Sequence, residues 1–276
     1  GIAVSNRGHS HPHWVKQGSS QASELVHCSN LFSIPEQVRL AKRLVEKIGP
    51  GKVLFCNSGA EANEGLLKLA RLSGNQDPDS PRHGIVVAEN GFHGRTLGAL
   101  SATASPKYRK GFEPLLPSFT FAPLNNCKAF DQAITADTTA VLVESIQGEG
   151  GIYEAEDSFL QELSNICAER KVMLLLDEVQ AGIGRTGEFL GFQKSGILPS
   201  AVAMAKGLGG GFPIGAMWIS GPSAEACGPG SHGTTFGGSP LACSAAHAVL
   251  DVLEEEDLIS ATRNKGTILH QKLTQF

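Results

Sequence analysis

Lys206 lies between the apolar run Ala201–Ala205 and the glycine-rich stretch Gly207–Gly211. A lysine at a strand end is commonly a solvated surface residue. Between those two stretches, however, its amine is partly desolvated, which favours the neutral, nucleophilic form. Adjacent glycines also let a ligand approach the backbone closely. Such an amine suits a Schiff base with an aldehyde. Asp177 ends the apolar run Val172–Leu176 and can either cap the next turn or pair with a protonated ring nitrogen. Ser58, Gly59 and Ala60 follow Val53–Cys56 and open a helical segment. There, backbone N–H groups, a hydroxyl and the positive end of the helix dipole could hold a phosphate, although Ser and Gly are also ordinary capping residues. Together these residues describe a phosphate, a ring nitrogen and an aldehyde, the three handles of a pyridoxal cofactor, whose ring needs an acidic partner to act as an electron sink.

The elements that must position them alternate between strand and helix. Strands are expected at Val53–Phe55, Gly84–Ala88, Ser118–Phe121, Ala140–Ser145, Val172–Leu176, Ala201–Ala205 and Ala216–Ser220. Helical spacing marks Pro35–Ile48 with Ser33 as N-cap, Glu61–Leu72, Arg95–Ala104, Lys128–Ile134, Glu156–Arg170 and Leu241–Glu255. Asp257–Phe276 reads as a further helix leading out of the body. Strands that are apolar throughout, joined by helices, predict an α/β fold with a mainly parallel sheet covered on both faces. Ligands gather at the carboxyl ends of such strands, where Asp177 and Lys206 fall.

Twenty-three basic and 27 acidic residues give a net charge of −4 in 276 residues, which offers no electrostatic support for nucleic-acid or membrane binding. The six cysteines are scattered without a C-x-x-C pair and read as reduced thiols. No leader or membrane-length apolar run is visible, which fits the cytoplasm, or a mitochondrial matrix in a eukaryote. Gly182–Gly187 matches G-x-G-x-x-G, yet no Asp or Glu occurs between Phe189 and Ala224. A dinucleotide site wants a carboxylate roughly 20 residues onward, so a nicotinamide dehydrogenase is disfavoured. His9, His11 and His13 have no acidic or cysteine neighbour in sequence, and Pro12 suits a turn, so no metal site is expected.

The stretches Asn57–Glu64, Gly91–Thr96, Glu144–Glu149, Leu176–Gly187, Ala205–Gly215 and Gly233–Gly238 resemble class III pyridoxal-phosphate aminotransferases, as do Gly1–Val4 and Gly8–Pro12. The resemblance runs from Gly1 to about Asp257. It implies the fold type I large domain, with Lys206 forming the internal aldimine and moving the proton and Asp177 on the pyridinium nitrogen. Gln180 would contact the ring hydroxyl, and Val179 and Phe92 would sandwich the ring. Ser58, Gly59 and Ala60 would hold the phosphate with Thr235 from the other subunit of a homodimer. Glu144 would support the pocket, and Glu178 is expected among the cofactor-binding residues. Arg95 would bind a substrate carboxylate beside Thr234, and Glu149 would pair with an arginine when an ω-amine donor is bound. The expected substrates are an amine donor, nearest to N2-acetylornithine, and 2-oxoglutarate. Ornithine, 4-aminobutyrate and succinylornithine are the alternative donors.

The resemblance further implies a segment of the small domain or its connection over 1–34, the cofactor-binding domain over 35–257, and the start of a truncated C-terminal small domain over 258–276. Family members continue further, so the chain reads as a fragment with Glu149 buried and unpaired, which raises the alternative of a cofactor-binding but non-catalytic chain.

Overall fold

The computed structural model describes residues 1–275. Its first half runs α1 (Pro12–Glu24), α2 (Pro35–Ile48), β1 (Gly51–Cys56), α3 (Gly59–Gly74), β2 (Gly84–Ala88), α4 (Leu97–Ala102), α5 (Pro106–Arg109), β3 (Phe119–Ala122) and α6 (Cys127–Ala133). It continues with β4 (Thr138–Glu144), β5 (Ile146–Gln147), β6 (Tyr153–Glu154), α7 (Asp157–Arg170), β7 (Met173–Asp177), β8 (Ala201–Met204), β9 (Gly215–Ser220), α8 (Pro240–Glu255) and α9 (Leu258–Leu273).

Seven strands form one sheet in the order β1-β9-β8-β7-β4-β2-β3. The pairs β8–β7, β7–β4, β4–β2 and β2–β3 are parallel, whereas β9 runs against both β1 and β8. The expected mainly parallel sheet is thus present, with one reversed strand. The reversal has a simple cause. Only residues 205–214 separate β8 from β9, and that stretch holds the glycine-rich turn rather than a crossover helix, so the chain returns antiparallel.

β4 and β7 are buried at every position because helices cover both faces. Leu174 and Leu176 pack on one face with residues of α2, α7 and α8, such as Leu44, Leu160 and Val249. Met173 and Leu175 pack on the other with Leu66, Leu69 and Ala70 of α3. Side chains alternate along a strand, so the face each strand-end residue takes is decided by its apolar predecessors. α8 is the central support, with eleven buried residues including Val249 and Leu250.

Several expectations need correcting. α2 is capped at Ile34, in extended geometry and without a side-chain cap bond, not at Ser33. The helix expected over Arg95–Ala104 is shorter, because Gly94 at φ +142° and Thr96 at ψ 156° keep the chain extended up to Leu97. Pro12 does not sit in a turn but at the first position of α1, where its missing N–H costs nothing. The exit helix is present as α9, with no buried residue. Its expected end at Phe276 lies outside the described residues.

Candidate active site

The turn after β1 is built by a reciprocal cap. Ser58 adopts extended geometry at the N-cap of α3, and its Oγ accepts from the Glu61 N–H at 3.2 Å. The Glu61 carboxylate in turn accepts from the Asn57 backbone N–H, and from Asn57 Nδ2 at 2.9 Å. This pins the start of α3 and aims the helix's free N–H groups and dipole into a cavity. Position 59 must be glycine, since a Cβ there would stand 2.6 Å from Val179 Cγ1. The close contact brings the residue after β7's end against the N-terminus of α3.

Asp177 ends β7 on the α3 face and is 3% exposed. Its Oδ2 accepts from Asn63 Nδ2 and from His93 Nδ1, each at 2.7 Å, and its Oδ1 accepts from the Val179 N–H at 2.9 Å. Glu144 lies beside it, in register across β4 and β7. Its Oε2 accepts from the Phe92 N–H at 3.1 Å. Burial, and then the charge of Asp177, hold the Glu144 carboxyl well above the ordinary carboxylate range, only partly offset by Phe92 and Lys206.

Lys206 follows β8 at φ +40°, a left-handed conformation that a side-chain-bearing residue adopts under strain. Two N-terminal residues brace the turn that holds it. Asn6 Nδ2 donates to the Ile183 carbonyl at 3.0 Å and Arg7 Nη2 donates to the Gly210 carbonyl at 2.7 Å. The Gly182–Gly187 stretch is thereby a structural turn supporting this loop. His11 and His13 are likewise engaged elsewhere, with Glu256 and Asp251 at 2.9 Å each.

A cavity of about 410 Å³ collects the predicted chemistry. Its lining includes Ser58, Gly59 and Ala60 at the start of α3, Lys206, Asp177 and Glu144 after their strands, and Phe92, Val179, Gln180 and Arg95. Arg95 stacks its guanidinium 4.2 Å from the Tyr108 ring centre at the cavity's rim. Glu178 is not in the cavity. It points to the opposite face of the sheet, fully buried, and accepts from the N–H groups of Gly191 at 2.8 Å and Phe192 at 3.1 Å. Its expected place among cofactor-binding residues is therefore corrected to a structural one. Glu149 is exposed rather than buried and does not line the cavity.

Thr234 and Thr235 also lie outside the cavity. Thr234 Oγ1 accepts from the Gly237 N–H at 3.1 Å, while Thr235 is exposed. Asn63 and His93, which sequence reading did not place in the site, are its main polar buttresses. A signal existed for Asn63: it shares a helical stripe with the buried Leu66, Leu67 and Ala70.

The donor set fits pyridoxal phosphate. Asp177 uses three of roughly four acceptor positions of a carboxylate and leaves one, on Oδ1, for a ring N–H. Gly59 and the cap of α3 leave a backbone cradle for a phosphate. This combination, on a sheet with one reversed strand, defines a pyridoxal-type α/β enzyme site. The sequence profile described as Aminotransferase class-III matches residues 1–276, and the chain belongs to that family. It is 48% identical to acetylornithine aminotransferase 1 of Bordetella pertussis, over 99% of this chain and 70% of that protein. It is 45% identical to acetylornithine aminotransferase of Caldanaerobacter subterraneus, over 99% of this chain and 69% of that one. The solved ornithine aminotransferase of Toxoplasma gondii superposes with a TM-score of 0.95 at 30% identity, covering 99% of this chain and 66% of its own. Among the described residues no helix is long and apolar enough to cross a membrane.

Proposed function

We propose that the chain forms the cofactor-binding part of a pyridoxal-phosphate-dependent transaminase that moves the terminal amine of N2-acetyl-L-ornithine to 2-oxoglutarate. The products are N-acetylglutamate 5-semialdehyde and L-glutamate, a step of arginine biosynthesis, which is cytoplasmic in bacteria and matrix-located where a eukaryote carries it. The observation that carries this reading is the convergence of Lys206, Asp177 and the N-terminus of α3 on one cavity. The relatives' names point to the donor. Residues 35–257 would be the cofactor-binding domain, with 1–34 and 258–276 leading to the parts that close it.

Pyridoxal phosphate, when bound, supplies an electron sink for the charge left on the donor's carbon. The chain's residues do the rest. The Ser58, Gly59 and Ala60 amides would hold the phosphate at the positive end of the α3 dipole. Asp177 Oδ1 would keep the ring nitrogen protonated, Phe92 and Val179 would flank the ring, and Gln180 would meet its hydroxyl. Glu144, whose burial and neighbour Asp177 favour its protonated form, secures the Phe92 loop through the Phe92 N–H. Lys206 Nζ would anchor the cofactor and, once freed by the donor's amine, would be the base that holds and moves the proton of the amine-bearing carbon. Arg95 would receive a carboxylate of donor or acceptor by its planar fork, and Glu149 and Thr234, which lie outside the cavity, would act on the substrate from beyond it.

A second copy completes the site in this reading. Thr235 and its neighbour Phe236 are exposed, and Asn30, whose Nδ2 donates to the Thr234 carbonyl at 3.2 Å, precedes Leu31 and Phe32, which are 91% and 68% exposed. Apolar surface of this kind marks an interface and would deliver Thr235 to a partner's phosphate. Ornithine is the second reading for the donor, favoured by the likeness to the T. gondii protein.

The test is the visible spectrum with pyridoxal phosphate, before and after N-acetylornithine or ornithine, beside Lys206→Ala. A band that needs Lys206 and bleaches with N-acetylornithine supports the proposal, and bleaching by ornithine alone favours the second reading. A band that ignores every ω-amine means a non-catalytic cofactor-binding chain, and no band at all overturns the role of Lys206.

A further inference from the structure

Arg95 is an exposed cation at the rim of the cavity, and among the described residues its side chain has no ion pair and no hydrogen bond. Glu64, whose carboxylate reaches the next residue, is already engaged. It accepts from Thr96 Oγ1 and from the Ala99 N–H. Aromatic rings are what hold Arg95 instead. Its Cζ lies 4.2 Å from the Tyr108 ring centre and 5.6 Å from that of Phe92. The two rings meet edge to face with centres 5.3 Å apart, so each restrains the other's tilt.

An aromatic face attracts a cation through the ring quadrupole. It leaves free the five N–H donors, which lie around the edge of the guanidinium. A carboxylate partner would hold Arg95 as firmly, but it would occupy the same fork that a ligand's carboxylate needs. Tyr108 therefore restrains without competing. It is half-buried in the short α5 and does not line the cavity, whereas Arg95 and Phe92 do. Without the ring, a long exposed side chain samples many rotamers. Only the fraction aimed at the cavity binds, and apparent affinity falls by that fraction.

We infer that Tyr108 is a positioning residue that sets the affinity for carboxylate-bearing substrates: its ring holds the Arg95 guanidinium at the cavity with all its donors unspent. The inference rests on the proposed role of Arg95 and adds what keeps an exposed arginine aimed. Replacing the ring by an aliphatic side chain frees the guanidinium to turn away, while the cofactor's own contacts stay in place.

The experiment uses the full chain loaded with pyridoxal phosphate. Its probe is glutarate, a dicarboxylate with neither amine nor oxo group, so calorimetry reads binding without turnover. Tyr108→Leu, Tyr108→Phe and Arg95→Ala are compared once their melting temperatures and circular dichroism are recorded. Tyr108→Met, with a longer aliphatic chain, repeats the test should Tyr108→Leu fail to fold. Tyr108→Leu should weaken glutarate about threefold to tenfold, the size of a cation–π contact, with cofactor affinity and the Lys206-dependent band nearly unchanged. Tyr108→Phe keeps the ring face and should bind glutarate like the wild type. Arg95→Ala should weaken glutarate at least as much as Tyr108→Leu, and combining the two should cost nothing further. Where N2-acetylornithine is turned over, its KM should rise by the same factor in Tyr108→Leu with kcat nearly unchanged. Wild-type glutarate affinity in a folded Tyr108→Leu, while Arg95→Ala loses it, overturns the inference and leaves the role of Arg95 standing. Weak binding by Tyr108→Phe, further loss in the double variant, or equal loss of glutarate and cofactor overturns it too. Wild-type affinity in Arg95→Ala, or no glutarate binding by the wild-type chain, refutes instead the underlying reading of Arg95, and this inference with it.

Discussion

Glu178 turns a buried carboxyl into a measurable pH dependence. It is fully buried, and the Gly191 and Phe192 N–H groups are its backbone donors. Burial pushes its pKa from an ordinary 4.5 up to about 7. Each tenfold change in proton affinity is about 1.4 kcal/mol, so the rise corresponds to about 3 kcal/mol. Between pH 4.5 and 7 the folded chain holds this proton while the unfolded chain has lost it. The folded state then binds more protons, and stability from this group falls as pH rises through that window. The penalty is absent below the lower value and fully present above about pH 7. Glu178→Gln keeps the shape and removes the titration. Urea unfolding of both proteins at matched protein and cofactor concentration, from pH 4.5 to 8, should show the difference in unfolding free energy moving by about 3 kcal/mol in the variant's favour. The mismatch of the amide NH₂ with one backbone N–H is the same at every pH and cancels from that change. A difference that stays flat would refute the reasoning, and one that moves toward the wild type would mean the two N–H donors outweigh burial.

Other expectations follow from the same contacts. Gly59→Ala places a methyl 2.6 Å from Val179 Cγ1 and should destabilise by about 1–3 kcal/mol while weakening cofactor binding. Adding Val179→Ala should restore much of the stability in thermal melts. Leu142→Ala, in the fully buried β4, should cost about 2–5 kcal/mol in urea unfolding and leave the spectrum of the folded fraction unchanged. Arg95→Lys loses the planar fork and the 4.2 Å stacking on Tyr108, so the donor KM should rise about tenfold or more while the Lys206-dependent band persists. A band lost in that variant would show that Arg95 serves the cofactor rather than the substrate.

Much of the sheet was legible because continuous apolar runs such as Val172–Leu176 can be satisfied only between two helical layers. The meeting of Lys206 and Asp177 in one cavity was legible because both end such runs, where a parallel sheet gathers its ligands. α1 was not legible, since it buries no residue and carries no apolar stripe to detect. Its hold on the body comes from Trp14, packed against the core, and from distant polar partners, among them His13 with Asp251 and Ser244 Oγ with the Gln17 carbonyl. The reversed strand β9 depends on a loop too short for a crossover, and apolar patterning does not encode strand direction. His93 remained hidden because its contact with Asp177 joins residues 84 apart in sequence.

Strand alternation separates the roles of the three buried acids. Ala140 and Leu142 precede Glu144 on the α3 face of the sheet, and Met173 and Leu175 precede Asp177 on that same face. Glu178 follows the opposite set, Leu174 and Leu176, whose neighbours are α7 and α8. With a period of two residues, Asp177 and Glu178 cannot both reach one cavity while the strand stays regular. The sequence alone therefore contained the signal that only one of the pair could face a ligand, once the apolar residues before each were assigned to a face. The same rule brings Glu144 and Asp177 side by side in parallel register. Two full negative charges so placed would repel, and burial together with the charge of Asp177 holds the Glu144 carboxyl well above its ordinary range. The end of β7 thus turns one carboxylate into the cavity and the next into the opposite layer, and the end of β4 adds a third whose proton is held more tightly than usual. These are three settings of one functional group, decided by which face of the sheet each occupies and what surrounds it.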